Sequence, residues 1–408
     1  MFLTRCFKGV VFSDGPFWVE QRRFALRHLR DFGFGKTSMD NIMHEEVQEL
    51  FKVLEASEIH PDGPVPFAFV ICNLLFTQIS RMFNQSIVNL LWTIVSGQRF
   101  SYDDEKFQEI LTYVYKSFRL DVPGGILVNV FPFLRFIIPK WSGYEEAMEY
   151  VHGLQGMLRH PWSPKIAPRL GSQSSVTRAL NATSLCRLIG EAECLFPAVA
   201  EEGLIVLCMD LFIAGSDTVS NTLEFCLLYM VLYQEVQRKV QEELDSVLGP
   251  ECMPSAGDRT RLTYSEAVLA EVTRINNIVP IPPPHRCMKP TKLKGYIIPE
   301  DTIIFVNLWA LLHDKEHWGD PEVFRPERFL DSEGKFVKDE WYNVFGLGKR
   351  TCLGESLARN ALFVFFTSML QRFHFSLPEG EPTPPTKGRP GLTSTPEPFR
   401  IRITRRSS

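Results

Sequence analysis

The 408-residue sequence predicts a mainly α fold with small β-sheets, an α+β arrangement. Three observations carry that expectation. Apolar residues recur at helical spacing along most of the chain, and the run from Glu202 to Gly249 is long enough to cross a domain at ~1.5 Å per residue. The stretch Gly295 to Val306 alternates and turns like strands of a small sheet. With 45% hydrophobic residues and 32 Phe, the chain can bury a large core.

Taken in order, residues 17–30 read FWVEQRRFALRHLR, placing Phe17, Phe24 and Leu29 among Arg22, Arg23, Arg27 and Arg30. That pattern predicts a helix with one apolar and one strongly basic side, the bland alternative being a solvated basic face. Ser38 to Glu55 reads as an amphipathic helix, 65–96 as one or two largely apolar helices, and 103–120 as another, closed by the breaker Asp121-Val-Pro-Gly-Gly. Residues 153–199 differ: no acid stands between Glu149 and Glu191, while Arg159, Lys165, Arg169, Arg178 and Arg187 are basic. Without helical period, this span is expected to be a loop or disordered insert.

Inside the long helical run sits Ala214-Gly215-Ser216-Asp217-Thr218. A mid-helix Gly costs about 1 kcal/mol relative to Ala, so this small, polar group calls for a reason, whether a kink, a polar patch or a function. Glu271 and Arg274 are three apart on the next helix, an ordinary ion-pair spacing. Pro-rich Val279 to Pro284 and the dipeptide His285-Arg286 follow, then the strand-like stretch, a helix and loop over His313 to Asp320, and an amphipathic helix from Glu355 to Phe373.

Composition excludes several classes. A net charge of −4 gives no reason to expect nucleic acid. Nine cysteines, at 6, 72, 186, 194, 208, 226, 252, 287 and 352, lack paired spacing and argue for reduced thiols. No run of about 18 apolar residues marks a transmembrane helix or signal peptide.

The most informative stretch is Phe345-Gly-Leu-Gly-Lys-Arg-Thr-Cys352-Leu-Gly354. Its glycines adopt backbone angles other residues resist and let a flat ligand lie close to the main chain. Orphan N–H groups at the following helix start can stabilise a negative sulfur. A buried structural Cys is the bland alternative, and zinc a weaker one, because structural zinc sites group their ligands closely and no second Cys or His lies near Cys352.

The full pattern F-x-x-G-x-R-x-C-x-G resembles the haem-binding signature of the cytochrome P-450 superfamily. The resemblance implies the P-450 fold and a b-type haem (heme b) with Cys352 as axial thiolate and Phe345, Gly346, Arg350 and Gly354 around it. By the same resemblance Trp18, Arg22 and His285 bond the haem propionates, Ala214 and Gly215 make room for dioxygen, and Asp217 and Thr218 support proton delivery. Val219 stands where many members have a second hydroxyl. Glu271 and Arg274, with Arg328 of Phe324-Arg-Pro-Glu-Arg328-Phe, correspond to a buried network that locks the cysteine loop. Ile213, Ala214, Ile278, Val279 and Leu392 to Thr395 are implied pocket walls.

The implied activity is insertion of one atom of O2 into a lipophilic substrate, in hormone or xenobiotic metabolism. No dinucleotide fingerprint is present, so electrons are expected from NADPH–cytochrome reductase, docking on Arg23, Arg27, Arg30 and Lys349. The wording HLRDFGFGK and AGSDTVSNTL is similar to animal microsomal members, insect ones in particular, which implies the cytosolic face of the endoplasmic reticulum membrane. Gly15-Pro-Phe-Trp18 resembles the family's C helix, so 1–408 is expected to be one incomplete P-450 domain, lacking anchor, first helices and first strands. A truncated haem-binding pseudoenzyme is the alternative.

Overall fold

The structure, a computed structural model, describes residues 9–31, 38–56, 79–96, 99–118, 133–140, 144–159 and 200–406. These residues form helices α1 Gly15–Asp31, α2 Ser38–Ala56, α3 Ile79–Ser96, α4 Glu105–Phe118, α5 Leu134–Ile137, α6 Tyr144–Arg159, α7 Ala200–Leu232, α8 Gln234–Val247 and α9 Thr263–Ile275. Strands β1 His285–Arg286, β2 Thr291–Leu293, β3 Tyr296–Ile298 and β4 Ile303–Ile304 follow, then α10 Leu308–Leu312, α11 Lys315–Trp318, α12 Glu355–Arg372, β5 Phe373–Ser376 and β6 Arg402–Arg405. The mainly helical expectation holds. The strands pair antiparallel as β1 with β4, β2 with β3 and β5 with β6. Among the described residues, no helix is long and apolar enough to cross a membrane.

The chain divides into two compact units: Met1–Pro61, Ala68–Ser220 and Ser356–Ala358 in one, and Asp62–Phe67, Asn221–Glu355 and Arg359–Ser408 in the other. In the first, α2 packs on α3, α3 on α4 and α4 on α6. The buried stripe Met43, Val47, Leu50 and Leu54 on α2 has the helical spacing that predicted it. The irregular span expected from residue 153 begins as helix instead, since α6 runs to Arg159. The reason is close packing: a Cβ on Gly153 would lie 2.8 Å from the Tyr113 ring of α4, so only glycine lets the helices approach there. Residues 160–199 lie outside the described residues.

In the second unit the core is Ala267, Ala270, Leu312, Trp318, Phe329 and Tyr342, closed over by Phe336, Trp341 and Val344. The β2–β3 hairpin turns on Lys294 (φ 45°) and Gly295 (φ 87°), two left-handed residues whose twist suits a tight antiparallel turn. The helical run from 202 to 249 is two helices. The break falls at Tyr233, where the Gln234 amide donates to the freed carbonyls of Met230 and Val231, each at 2.9 Å. Helix α12 is amphipathic only at its start, because the successive residues Phe363, Val364, Phe365 and Phe366 are all buried and the helix is enclosed on every side.

Candidate active site

In the first unit, the N–H of Trp18 donates to Asp14 O at 3.3 Å in the opening turn of α1. One turn on, Arg22 places its guanidinium 5.7 Å from the centre of the Trp18 indole, so both share a face. Arg23, Arg27 and Arg30 are exposed on another, with Arg30 Nε donating to Leu26 O at 3.1 Å.

Sequence reasoning missed the residue that fastens the segment before α1. Asp210 of α7 accepts the Val11 N–H at 3.0 Å, and Gly9 sits so close to its carboxylate that any side chain there would clash. Burial outweighs the Val11 and Val10 N–H donors and pushes the Asp210 carboxyl up to about 6. One turn later, Ala214 is exposed and Thr218 half-buried on a single stripe, the Thr218 hydroxyl donating to Ala214 O at 2.8 Å. Asp217 is fully buried, turned away from that stripe. A Cβ on Gly215 would meet Leu91 of α3 at 2.8 Å, so this glycine already has a packing reason: it lets α3 and α7 touch.

In the second unit, Phe345 to Gly354 is a closed turn. Cys352 N–H donates to Phe345 O at 2.9 Å, Thr351 Oγ1 to Gly346 O at 3.2 Å, and Gly346 N–H to Asn343 O at 2.9 Å. Gly346 (φ 75°) and Gly348 (φ 72°) take left-handed angles, and a Cβ on either would meet open space. The thiol of Cys352 is exposed one turn from the start of α12, whereas Cys208 and Cys226 are buried and burial pushes the Cys208 thiol up to about 12.

On α9, Glu271 and Arg274 are both fully buried and joined by a two-pronged pair, Arg274 Nε to Oε2 at 2.7 Å and Nη2 to Oε1 at 2.9 Å. Arg274 also donates to Leu312 O and Pro321 O, each at 2.8 Å. Arg328 joins through Nε to Glu271 Oε1 at 3.2 Å and holds Trp318 O at 2.6 Å, while the Arg325 N–H donates to the same Glu271 oxygen at 3.0 Å. The three motif residues therefore form one buried network.

His285 is half-buried on β1 opposite Ile304, while the neighbouring Arg286 pairs with Asp301. Arg350 is half-buried in a 3₁₀ turn, Gly348–Arg350, and Lys349 is exposed. Ile278 O accepts from Ser394 N at 2.8 Å, which brings two of the expected pocket segments side by side. Thr393 and Thr395 turn their side chains inward, leaving Leu392 as the exposed member.

A metal held through one open axis fits this loop. Among the described residues, no group of three His, Cys, Asp or Glu side chains could hold a metal ion. The open side of Gly346 and Gly348 and the exposed sulfur supply the clearance.

The family model of Cytochrome P450 matches residues 3–403. The chain is 38% identical over 395 residues to a farnesoate epoxidase of Bombyx mori, covering 96% of this chain and 75% of that protein. It is 36% identical over 404 residues to human Cytochrome P450 2U1, covering 98% of this chain and 70% of the relative. With human Cytochrome P450 2J2 it shares 36% over 404 residues, 96% of this chain and 74% of the relative. On these matches the chain belongs to the cytochrome P450 family, whose members are monooxygenases that bind haem through a cysteine thiolate.

Proposed function

We propose that this chain inserts one oxygen atom from O2 into a lipophilic isoprenoid or similarly extended apolar substrate, by epoxidation or hydroxylation, with electrons from an NADPH-dependent reductase. The observation that carries the reading is the exposed Cys352 sulfur at the end of a closed turn whose glycines leave their open side clear. The name of the Bombyx mori relative, a farnesoate epoxidase, makes a farnesoate-like ester or acid the first substrate to try.

In this reading the Cys352 sulfur would hold the haem iron, and the haem would supply the oxygen-activating redox chemistry. The turn keeps the sulfur in place, since its N–H bond to Phe345 O fixes the backbone on which the sulfur is carried. By the resemblance Phe345, Gly346, Arg350 and Gly354 would be the loop's contacts to the group, and Trp18, Arg22 and His285 would bond its carboxylates, a task that suits N–H donors and a forked guanidinium. Ala214 and Gly215 keep the middle of α7 narrow. Thr218 carries a hydroxyl on the open stripe of that helix and Asp217 is buried beside it, and by the resemblance the two would support proton delivery. Glu271, Arg274 and Arg328 hold rigid the segment that leads into the loop. By the resemblance Ile213, Ala214, Ile278, Val279 and Leu392 to Thr395 would be walls of the substrate pocket.

Arg23, Arg27, Arg30 and Lys349 are exposed cations suited to an acidic face of the reductase. The site of action is the cytosolic face of the endoplasmic reticulum membrane, in keeping with the animal relatives. No observation favours the inactive haem-binding alternative. The test is turnover of a farnesoate ester by the reconstituted holoenzyme under isotopically labelled O2. One labelled oxygen atom in the product is expected, and product formed without label would overturn the reading.

A further inference from the structure

Helix α12 carries one cation that neither the loop motif nor the buried network accounts for. The guanidinium of Arg359 lies 4.9 Å from the ring centre of Phe345 and 5.5 Å from that of Tyr342, so one planar cation faces two aromatic rings. Its Nε donates to Glu355 Oε1 at 3.0 Å, and only 17% of its side chain is exposed. Burial disfavours its charge, but Tyr342, Glu355 and Glu266 outweigh that and raise its pKa further above the ordinary value.

Both rings lead somewhere. Phe345 is the residue whose carbonyl accepts the Cys352 N–H. The Tyr342 hydroxyl lies 2.5 Å from Thr273 Oγ1, and Thr273 in turn donates to Leu269 O at 2.9 Å. Thr273 stands between Glu271 and Arg274 on α9, so Tyr342 reaches the helix that carries the buried ion pair.

We propose that Arg359 is a positioning residue for the cysteine ligand: it clamps Phe345 against Tyr342 and thereby ties the Cys352 turn, through Tyr342 and Thr273, to α9. The proposal rests on Cys352 being the haem ligand. A planar, delocalised cation is required, because an ammonium is a compact, strongly hydrated point charge that cannot lie flat on two rings. The pair with Glu355 is half open to water and serves to aim the guanidinium rather than to bind the loop.

The test uses the carbon monoxide complex of the reduced holoenzyme, whose spectrum distinguishes thiolate from thiol ligation, measured across a mild urea series. Arg359→Gln and Arg359→Lys are each expected to raise the ratio of thiol-ligated to thiolate-ligated complex about tenfold, the effect of losing a desolvated contact to two rings. Glu355→Gln is expected to change it no more than about twofold. Phe345→Leu combined with Arg359→Gln is expected to be no worse than the worse single change, because both remove one contact.

Full rescue by Arg359→Lys, strict additivity with Phe345→Leu, or a ratio for Arg359→Gln within about twofold of wild type would overturn the proposal. Should Arg359→Gln fail to retain haem, the Lys variant and Phe345→Leu carry the comparison. Cys352→Ser separates the two failures: a thiolate spectrum that survives it refutes the ligand assignment rather than the role of Arg359.

Discussion

Replacing Glu271 by Ala would strand the Arg274 guanidinium in the interior, since its side chain is 0% exposed, while Arg328, 6% exposed, keeps the Asp320 carboxylate as counter-ion. Removing one partner of a buried pair costs about 3–5 kcal/mol, because the remaining charge has neither water nor counter-ion. The Arg325 N–H loses its acceptor as well, worth about 1–3 kcal/mol if it stays dry. Both arginines keep carbonyl acceptors at Leu312, Pro321 and Trp318, so the loss falls on the segment between α11 and the cysteine loop. Set against a whole-domain stability of about 5–15 kcal/mol, that is enough to unmake the segment while helices elsewhere persist. The assay is haem bound per chain together with far-ultraviolet circular dichroism. The expected result is a helical spectrum close to wild type with almost no haem; normal haem occupancy in Glu271→Ala would refute the reasoning.

Three further outcomes follow from the geometry. An acid whose folded pKa is raised is most favourable to folding below its unfolded pKa, so the Asp210 carboxyl, pushed up to about 6, withdraws stability as pH rises from about 4 to about 6 and nothing further above. At about 1.36 kcal/mol per pKa unit this is roughly 3 kcal/mol, and Asp210→Asn is expected to flatten the urea midpoint over that window; an unaltered pH profile would count against it. Gly215→Val is expected to destabilise by about 1–3 kcal/mol by overpacking against Leu91, with much of the loss recovered on adding Leu91→Ala, and additive losses would show that the two do not meet. Reversing the charges of Arg23 and Arg27 is expected to slow reductase-driven haem reduction far more at low salt than at high salt, and equal rates at both ionic strengths would remove this face from the encounter.

What could be read from the sequence was whatever is encoded within a few residues. The turn around Cys352 and the pairing of Glu271 with Arg274 are local patterns, and a motif 54 residues later supplied Arg328's neighbour Arg325 as a further partner of the same carboxylate. Asp210 carries no such signature: a lone acid on an apolar helix is unremarkable until its partner, 199 residues earlier, is in place. The helix break at Tyr233 was equally silent, since no Pro or Gly marks it and the capping is done by glutamine side chains. Burial of α12 on all faces depends on neighbours that periodicity cannot see, which is why its charged first turn made it look amphipathic. Gly215 was read as room for a ligand, while its missing side chain faces Leu91, a contact that only the packing of α3 on α7 reveals. Arg359 escaped notice for the same reason, standing seven residues past the cysteine with partners that are rings rather than charges.

The most direct measurement is the carbon monoxide difference spectrum of the reduced, haem-loaded protein beside that of Cys352→Ser. The expected result is the strongly red-shifted Soret band of a thiolate-ligated haem in the native chain and its loss in the serine variant. A native chain that binds haem without that band, or a serine variant that keeps it, would contradict the assignment of Cys352.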